Sequence, residues 1–122
     1  MLEKNGEIEQ EIPAEWRPVI TEIVEGIRAR NLRLKNVLGY EISVDVEEIA
    51  DIYQSVDHYG EALVALPDDT WQTSVCRWMG CYWHLLIDLF TEEEGLSDLA
   101  LFVDVYEHEN SISFKVRSLH VP

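Results

Sequence analysis

Basic residues are scarce in this chain. It carries nine Lys and Arg against 24 Asp and Glu in 122 residues, which gives a formal charge of −15 at pH 7. Proteins bind nucleic acids through basic side chains that neutralise phosphates, so this charge balance argues against a nucleic-acid partner. The same electrostatic reasoning disfavours binding to an anionic membrane surface.

Cysteine and long apolar runs are scarce as well. The two cysteines, Cys76 and Cys81, are too few for a disulfide scaffold and suit a reducing compartment. There is no run of roughly 18 apolar residues to cross a membrane, and the first residues lack the basic start and apolar stretch of a signal peptide. We therefore expect a cytoplasmic protein that does not enter membranes.

Apolar surface, in contrast, is plentiful. The sequence is 47% hydrophobic and 10% aromatic, which is enough for one core in a chain of this length. Residues 1–13 contain four Glu and little that could pack, so we expect them to form a flexible acidic tail that ends at Pro13. Residues 14–122 are expected to form a single domain.

The first predicted helix begins near residues 14–17. Apolar residues from Trp16 to Ile27 recur at intervals of three and four, which is the pattern of a helix with one buried face. Pro18 is tolerated only in the first turn, and the helix should end near Asn31. Four of the nine basic residues lie at this end, where cations oppose the negative pole of the helix dipole: Arg28, Arg30, Arg33 and Lys35.

The second predicted helix has a start and a stop signal. Asp45 and Glu48 form a capping-box pattern, and Gly60 stands where a left-handed C-terminal residue is wanted. Residues 32–44 lack a clear period and are expected to form a loop with at most a short extended piece. Residues 61–66 fit either a small strand or a further helical turn.

From Trp71 onward the apolar period changes to two, and three turn signals divide the remainder into four strands. The first turn is the dipeptide Gly80-Cys81, which sets Arg77 opposite His84 in a hairpin. We therefore expect an α+β domain in which two N-terminal helices pack on a four-stranded antiparallel meander.

No pattern in the sequence indicates catalysis. His84 and Asp88 share a strand face, but four residues of strand separate them by roughly 13 Å, too far for a hydrogen bond. Cys76, Cys81 and His84 have the residue types of a zinc site, yet Cys76 should face the core and no fourth ligand is near. We therefore predict a protein that is not an enzyme and uses no metal or cofactor.

The distribution of acidic residues is the strongest functional signal. Residues 36–114 contain 17 acidic residues and one basic residue, Arg77. Such a charge field accelerates encounter with a cationic protein, although a solvated surface that only maintains solubility would have the same composition. The residues we expect to contact a basic partner lie in predicted loops: Asp68, Asp69, Glu92, Glu93, Glu94 and Asp98.

Two segments carry a resemblance to a known family. Residues 71–83 match the pattern W-x4-C-x-W-M-G-x-Y-W, and residues 88–99 match D-L-x-T-x-E-E-G-x-S-D-L. With these motifs the chain resembles a family of small, uncharacterised bacterial domains from Trp16 to its end. The resemblance implies a bacterial, cytoplasmic protein and brings no established activity or site residue.

Two functions therefore remain open. The first is a non-enzymatic inhibitor or immunity-type protein that blocks a basic toxin or nuclease. The second is a small-molecule-binding domain that resembles the cone-shaped nuclear-transport-factor-like fold, with or without a catalytic task. In that fold helices and a curved sheet enclose a pocket, and its wall here would be Arg77, Tyr82, His84 and Asp88.

Overall fold

The computed structural model describes residues 2–32 and 35–122, so Met1, Leu34 and the basic residue Arg33 lie outside the described part. It contains two helices and one seven-stranded sheet. In chain order the elements are β1 (Gln10–Glu11), α1 (Arg17–Arg28), β2 (Asn36–Val37), β3 (Tyr40–Val44), α2 (Val46–Tyr59), a 3-10 turn (Asp68–Gln72), β4 (Val75–Trp78), β5 (Trp83–Thr91), β6 (Gly95–Glu107) and β7 (Ile112–His120). Within the described ranges, neither helix is long and apolar enough to cross a membrane.

The expected fold of two N-terminal helices on a four-stranded antiparallel meander is wrong. The sheet has the order β1-β4-β5-β6-β7-β3-β2, and β3 runs parallel to β7. The chain also enters the sheet before α1 and returns to it between the two helices. The three additional strands are two to five residues long, and a strand this short shows too little alternation to stand out in a sequence.

Those additional strands come from segments that we expected to be irregular. In the predicted tail, Gln10 pairs with Cys76 and Glu11 with Val75, and the neighbouring Ile12 is fully buried. The predicted loop of residues 32–44 supplies β2 and β3. The undecided segment 61–66 forms a single bridge, between Leu63 and Thr91 of β5.

The predicted register of the β4–β5 hairpin is confirmed, with Trp78 opposite Trp83 and Arg77 opposite His84. Along β5 the odd-numbered side chains are buried and the even-numbered ones are half-buried. We call the two sides of the sheet the covered face and the open face. On the three central strands the covered face carries Trp83, Leu85, Ile87, Leu89, Leu101, Val103, Val105, Phe114 and Val116, and the open face carries His84, Leu86, Asp88, Phe102, Asp104 and Lys115.

Helix α1 packs on the covered face. The Trp16 ring, just before the helix, meets Trp83 and Phe114 edge to face, with centroids 6.4 Å and 6.2 Å away. Such aromatic pairs add about 0.5–1.5 kcal/mol each beyond the burial of their area. The helix then buries the apolar stripe read from the sequence, namely Val19, Ile20, Ile23, Val24 and Ile27.

Helix α2 lies beside β7 and contacts the segment that follows α1. Its predicted C-terminal residue is confirmed, because Gly60 adopts a left-handed φ of +82°. The predicted capping box does not form, since the Asp45 carboxylate makes no cap and lies instead 3.6 Å from the Lys115 ammonium on β7. The Leu32 N–H, which follows α1, donates to the Tyr53 hydroxyl at 3.0 Å.

Basic residues at the C-terminal end of α1 and just after it connect the helix to neighbouring segments. Arg28 pairs with Glu25 in the same helix and donates through Nε to the Leu63 carbonyl at 3.1 Å. Arg30 pairs with Asp57 of α2. These side chains therefore contact specific groups on α2 and on the segment that follows it, in addition to any effect on the helix dipole.

Trp16→Ala should lower the free energy of unfolding by about 3–5 kcal/mol, because it removes a large buried ring and leaves a cavity over the sheet. The measurement is urea unfolding followed by far-UV circular dichroism. Glu15→Ala, at the exposed neighbouring position, is the control and should change stability little. A loss below 1 kcal/mol, on the order of a surface change, for Trp16→Ala would contradict this account of the core.

The two cysteines occupy different environments and both are free thiols. Cys76 is fully buried on β4, and burial raises the pKa of its thiol to about 11. Cys81 is exposed in the β4–β5 turn. Since the thiolate is the reactive form, the two side chains should differ in reactivity.

Iodoacetamide at mildly alkaline pH should alkylate Cys81 in the native protein and leave Cys76 unmodified until the chain is unfolded. Mass spectrometry of tryptic peptides over time measures both reactions. A Cys81→Ser variant should lose the fast reaction and keep the slow one. Equal native rates for the two thiols would show that Cys76 is not protected by the core.

Candidate functional site

Five carboxylates lie around the turn that joins β5 to β6. We call this group the acidic cluster; it comprises Glu61, Glu92, Glu93, Glu94 and Asp98. The turn is held by local bonds, because the Glu94 N–H donates to Thr91 Oγ1 at 3.2 Å and Gly95 takes a φ of +73°. A further bond, from the Glu92 N–H to the Ala62 carbonyl at 2.9 Å, fixes the turn against the segment after α2.

Tyr59, at the end of α2, orients two members of the acidic cluster. Its hydroxyl donates to Glu94 Oε1 at 2.6 Å and accepts the Asp98 N–H at 3.1 Å. The hydrogen bond to Glu94 raises the pKa of Tyr59, because the carboxylate stabilises the protonated phenol. The Glu94 carboxylate is thus held in place by α2 as well as by its own turn.

Glu61 and Glu93 approach closely enough to share a proton. The hydrogen bond between them raises the pKa of Glu61 and lowers that of Glu93. One oxygen of Glu61 is buried and meets no donor among the described residues. None of the ion pairs in residues 2–32 and 35–122 includes a member of the acidic cluster, although Glu61 lines a cleft with Arg28 and Arg30.

The structure brings together four of the six residues predicted to bind a partner, Glu92, Glu93, Glu94 and Asp98. The other two, Asp68 and Asp69, begin the 3-10 turn, and both are exposed. Asp68 lines a cleft with Arg17 and Trp71, and no hydrogen bond or ion pair of the described chain joins this pair to the acidic cluster. The predicted contact residues therefore belong to two different turns of the chain.

The four residues predicted to line a pocket lie along the open face. Arg77 and His84 are cross-strand neighbours, and the Tyr82 ring packs against Tyr106 with centroids 5.3 Å apart. Asp88 is opposite Ala100, two positions along the same face from Leu86. It makes no hydrogen bond to His84 in the described structure, as the strand rise predicts.

The partner of His84 is Asp104 on β6, which sequence reasoning missed. His84 Nδ1 lies 2.6 Å from Asp104 Oδ1, and the Asp104 side chain is almost completely buried. Arg117 Nε lies 3.6 Å from the other carboxylate oxygen. The available signal was an acidic residue within the otherwise apolar run of residues 99–106 in β6, but nothing local pairs it with His84.

Comparison with known proteins identifies a family. A family model described as a domain of unknown function (DUF7668) matches residues 24–122, which is most of the chain. The chain belongs to the DUF7668 family. No curated protein and no solved structure matches it. The expected resemblance to an uncharacterised domain family is confirmed at this level, and the bacterial origin stays a prediction.

The DUF7668 model begins inside α1, whereas the core of this chain begins earlier. Ile12, Trp16 and Ile20 precede the matched region and are almost completely buried. In this DUF7668 chain, residues before the matched region therefore complete the cover over the sheet.

The pocket hypothesis stays a prediction for this DUF7668 chain. Four clefts formed by the described residues lie elsewhere, and none of these four is lined by Arg77, Tyr82, His84 or Asp88. Within the described ranges, no three His, Cys, Asp or Glu side chains are arranged to hold a metal ion. The groups with distinct chemistry are the acidic cluster and the His84–Asp104 pair.

The carboxyls of Glu61 and Glu93 should titrate in two separate steps, Glu61 above the ordinary pKa of a glutamate and Glu93 below it. Glu93→Gln should return the Glu61 midpoint toward its ordinary value, as measured by carboxyl ¹³C NMR. Glu92→Gln is the control and should leave the separation intact.

The shifted pKa values of Glu61 and Glu93 also make the free energy of unfolding depend on pH. Because the folded state holds the Glu61 proton more tightly than the unfolded chain does, its contribution to stability falls as pH rises from the unfolded to the folded pKa of Glu61. The lowered pKa of Glu93 acts in the opposite sense, and its stabilisation is lost as pH falls through that pKa.

An unchanged Glu61 midpoint in Glu93→Gln would contradict the shared proton.

Proposed function

We propose that this protein is a non-enzymatic inhibitor or immunity-type protein that uses the acidic cluster to bind a basic partner, such as a nuclease toxin. The observation that supports the proposal is the convergence of five carboxylates around one turn, with no ion pair among the described residues to neutralise them. Two free cysteines and the family resemblance favour the cytoplasm of a bacterium as its setting.

Electrostatic repulsion within the acidic cluster favours a cationic partner. Carboxylates this close raise one another's energy, and the hydrogen bond to Glu93 together with the charges of Glu93 and Glu94 raises the pKa of Glu61. Lysines and arginines brought by a partner would replace that repulsion with attraction and would steer the encounter from a distance. Nucleases carry such cations in the clefts that hold phosphates.

The rigidity of the acidic cluster also suits binding. Tyr59 bonds to Glu94 and Asp98, and Ala62 bonds to Glu92, so the turn is fixed before a partner arrives. A contact surface that is already ordered loses less conformational entropy on association.

A role in solubility alone explains the acidic cluster less well. Solubility requires net charge, and carboxylates spread over the surface provide it equally well. Spread carboxylates also repel one another less than carboxylates grouped around one turn. Asp68 and Asp69 remain further candidates for contact, because both are exposed at the start of the 3-10 turn.

The test compares two triple variants that lose the same charge. Glu92→Gln/Glu93→Gln/Glu94→Gln neutralises the turn, and Glu7→Gln/Glu22→Gln/Glu109→Gln removes three exposed carboxylates that lie outside the acidic cluster and make no ion pair in the described structure. Each protein is used to capture partners from a lysate of the source cells, and the retained protein is purified and assayed by stopped-flow association. We expect the turn variant to bind at least about tenfold more slowly at low salt and with a flatter salt dependence.

The control triple should retain the partner and most of the association rate, since it keeps the acidic cluster. Equal loss in both triples would assign the effect to net charge. A captured partner that is acidic, or an association rate unchanged in the turn variant, would overturn the proposal.

A further inference from the structure

The centre of the open face is apolar and partly exposed. On β5 the side chains of this face are half-buried, whereas those of the covered face are buried. Leu86 is opposite Phe102, and the Phe102 ring stacks between His84 and His120 with centroids 5.5 Å and 4.6 Å away. An antiparallel sheet with one face in water usually carries polar side chains on that face. Apolar side chains at this position indicate a binding surface.

One charge of the open face has no counter-charge in the described chain. The backbone of Asp88 bonds to Ser74 and Thr70, but its half-buried carboxylate makes no hydrogen bond and no ion pair with a described residue. A partly dehydrated carboxylate without a partner is unfavourable. The cations of this face differ, because each lies 3.6 Å from one carboxylate, in the pairs Arg77–Glu9, Lys115–Asp45 and Arg117–Asp104.

The strand register places Arg77 and Asp88 on opposite sides of the apolar centre. Arg77 is opposite His84, and His84, Leu86 and Asp88 follow one another at every second position of β5. Leu86 thus lies midway between the row that holds Arg77 and the row that holds Asp88. Four residues of strand separate these rows by roughly 13 Å, so Arg77 and Asp88 of one chain do not reach each other.

We propose that the open face binds a second copy of this chain in a two-fold symmetric dimer, with Leu86 and Phe102 near the axis and Arg77 of each copy paired with Asp88 of the other. A two-fold axis that lies between the facing sheets and perpendicular to the strands reverses the strand direction. It therefore brings the Asp88 row of one copy over the Arg77 row of the other. Packed sheets lie about 10 Å apart, a gap that the long Arg77 side chain bridges together with Asp88. Arg77 has donors for this contact, because its distance of 3.6 Å from Glu9 leaves it without a hydrogen bond to that residue.

The size of the open face is sufficient for such a dimer. Strands β4, β5, β6, β7 and β3 are neighbours in the sheet. At about 3.3 Å per residue and 4.8 Å per strand, their open face covers roughly 600 Å². Two copies would bury roughly 1,200 Å² in total, at the lower end of the range for specific interfaces. An apolar centre with charged groups around it is also the usual arrangement of such an interface.

The dimer does not rest on the proposed function, because the acidic cluster lies around the β5–β6 turn and after α2, away from the apolar centre. The net charge of −15 makes two copies repel each other at long range, and salt screens this repulsion. The two Arg77–Asp88 pairs are outnumbered by the remaining like charges. We therefore expect dimerisation to strengthen as salt rises from a low to a moderate concentration.

The first test is sedimentation velocity of the full-length protein over a series of concentrations in moderate salt. We expect a monomer–dimer equilibrium with a dissociation constant on the order of micromolar, as suits an interface of this size. A protein that sediments as a monomer at every concentration up to about 1 mM, far above that dissociation constant, would overturn the proposal.

Charge reversal identifies the contact. Asp88→Arg and Arg77→Asp should each weaken dimerisation at least about tenfold, because each places like charges together across the axis. The double variant Arg77→Asp/Asp88→Arg restores opposite charges between the copies and should recover most of the affinity. Glu22→Arg, at an exposed position of α1, changes the net charge as much as Asp88→Arg and should not weaken the dimer. A double variant that dimerises no better than the single variants would disprove the pairing.

A substitution at the apolar centre gives an independent readout. Leu86→Lys places two ammonium groups near the axis and should abolish the dimer. Leu38→Lys, in the exposed β2–β3 turn, removes the same side chain elsewhere and should leave dimerisation unchanged. Circular dichroism establishes that each variant is folded, and if Leu86→Lys is not, the charge reversals decide the matter. A folded Leu86→Lys protein with wild-type dimerisation would show that the open face is not the interface.

Discussion

Burial of one side of β5 and β6 under Trp16 and α1 is the constraint on which the rest of the structure depends. Strand side chains alternate with a period of two, so placing Trp83 and Leu85 in the core sends His84 to the opposite side. A slip of one residue would exchange the two sides and expose the core residues, which is why the register is specified so strongly. The same packing that stabilises the domain therefore determines which polar groups reach the open face.

The fold separates charges that are mixed along the chain. The acidic cluster occupies the β5–β6 turn, while the cations of the open face come from β4 and β7. Net charge alone describes neither surface, because the acidic cluster makes no ion pair among the described residues, whereas each cation of the open face lies beside a carboxylate. The β5–β6 hairpin carries residues of the acidic cluster and of the open face, so its register determines the positions of both groups.

Residues before the matched DUF7668 region belong to the same core as the sheet. Ile12 directly follows β1, the edge strand that pairs with β4, and Trp16 contacts two strands that are distant in sequence. Residues 2–23 thus supply both an edge of the sheet and part of its cover. The burial of Ile12 contrasts with the acidic composition of the segment around it. That composition predicted a flexible tail, because one or two apolar side chains change an average over many Glu residues very little.

The sequence by itself determined the features that depend on neighbours within a few residues. The ends of α2, the position of Pro18 in the first turn of α1 and the pairing of Arg77 with His84 follow from helix periodicity, turn residues and a short hairpin. Only the tertiary structure decided the parallel pairing of β3 with β7, the strand β1 and the contact of His84 with Asp104. Each of these joins segments far apart in the chain, where the partner is selected by packing over the whole sheet and leaves no local pattern. Asp45 illustrates the same limit. Its place in the sequence predicts the start of α2, but its carboxylate lies beside Lys115 of β7, a strand far along the chain.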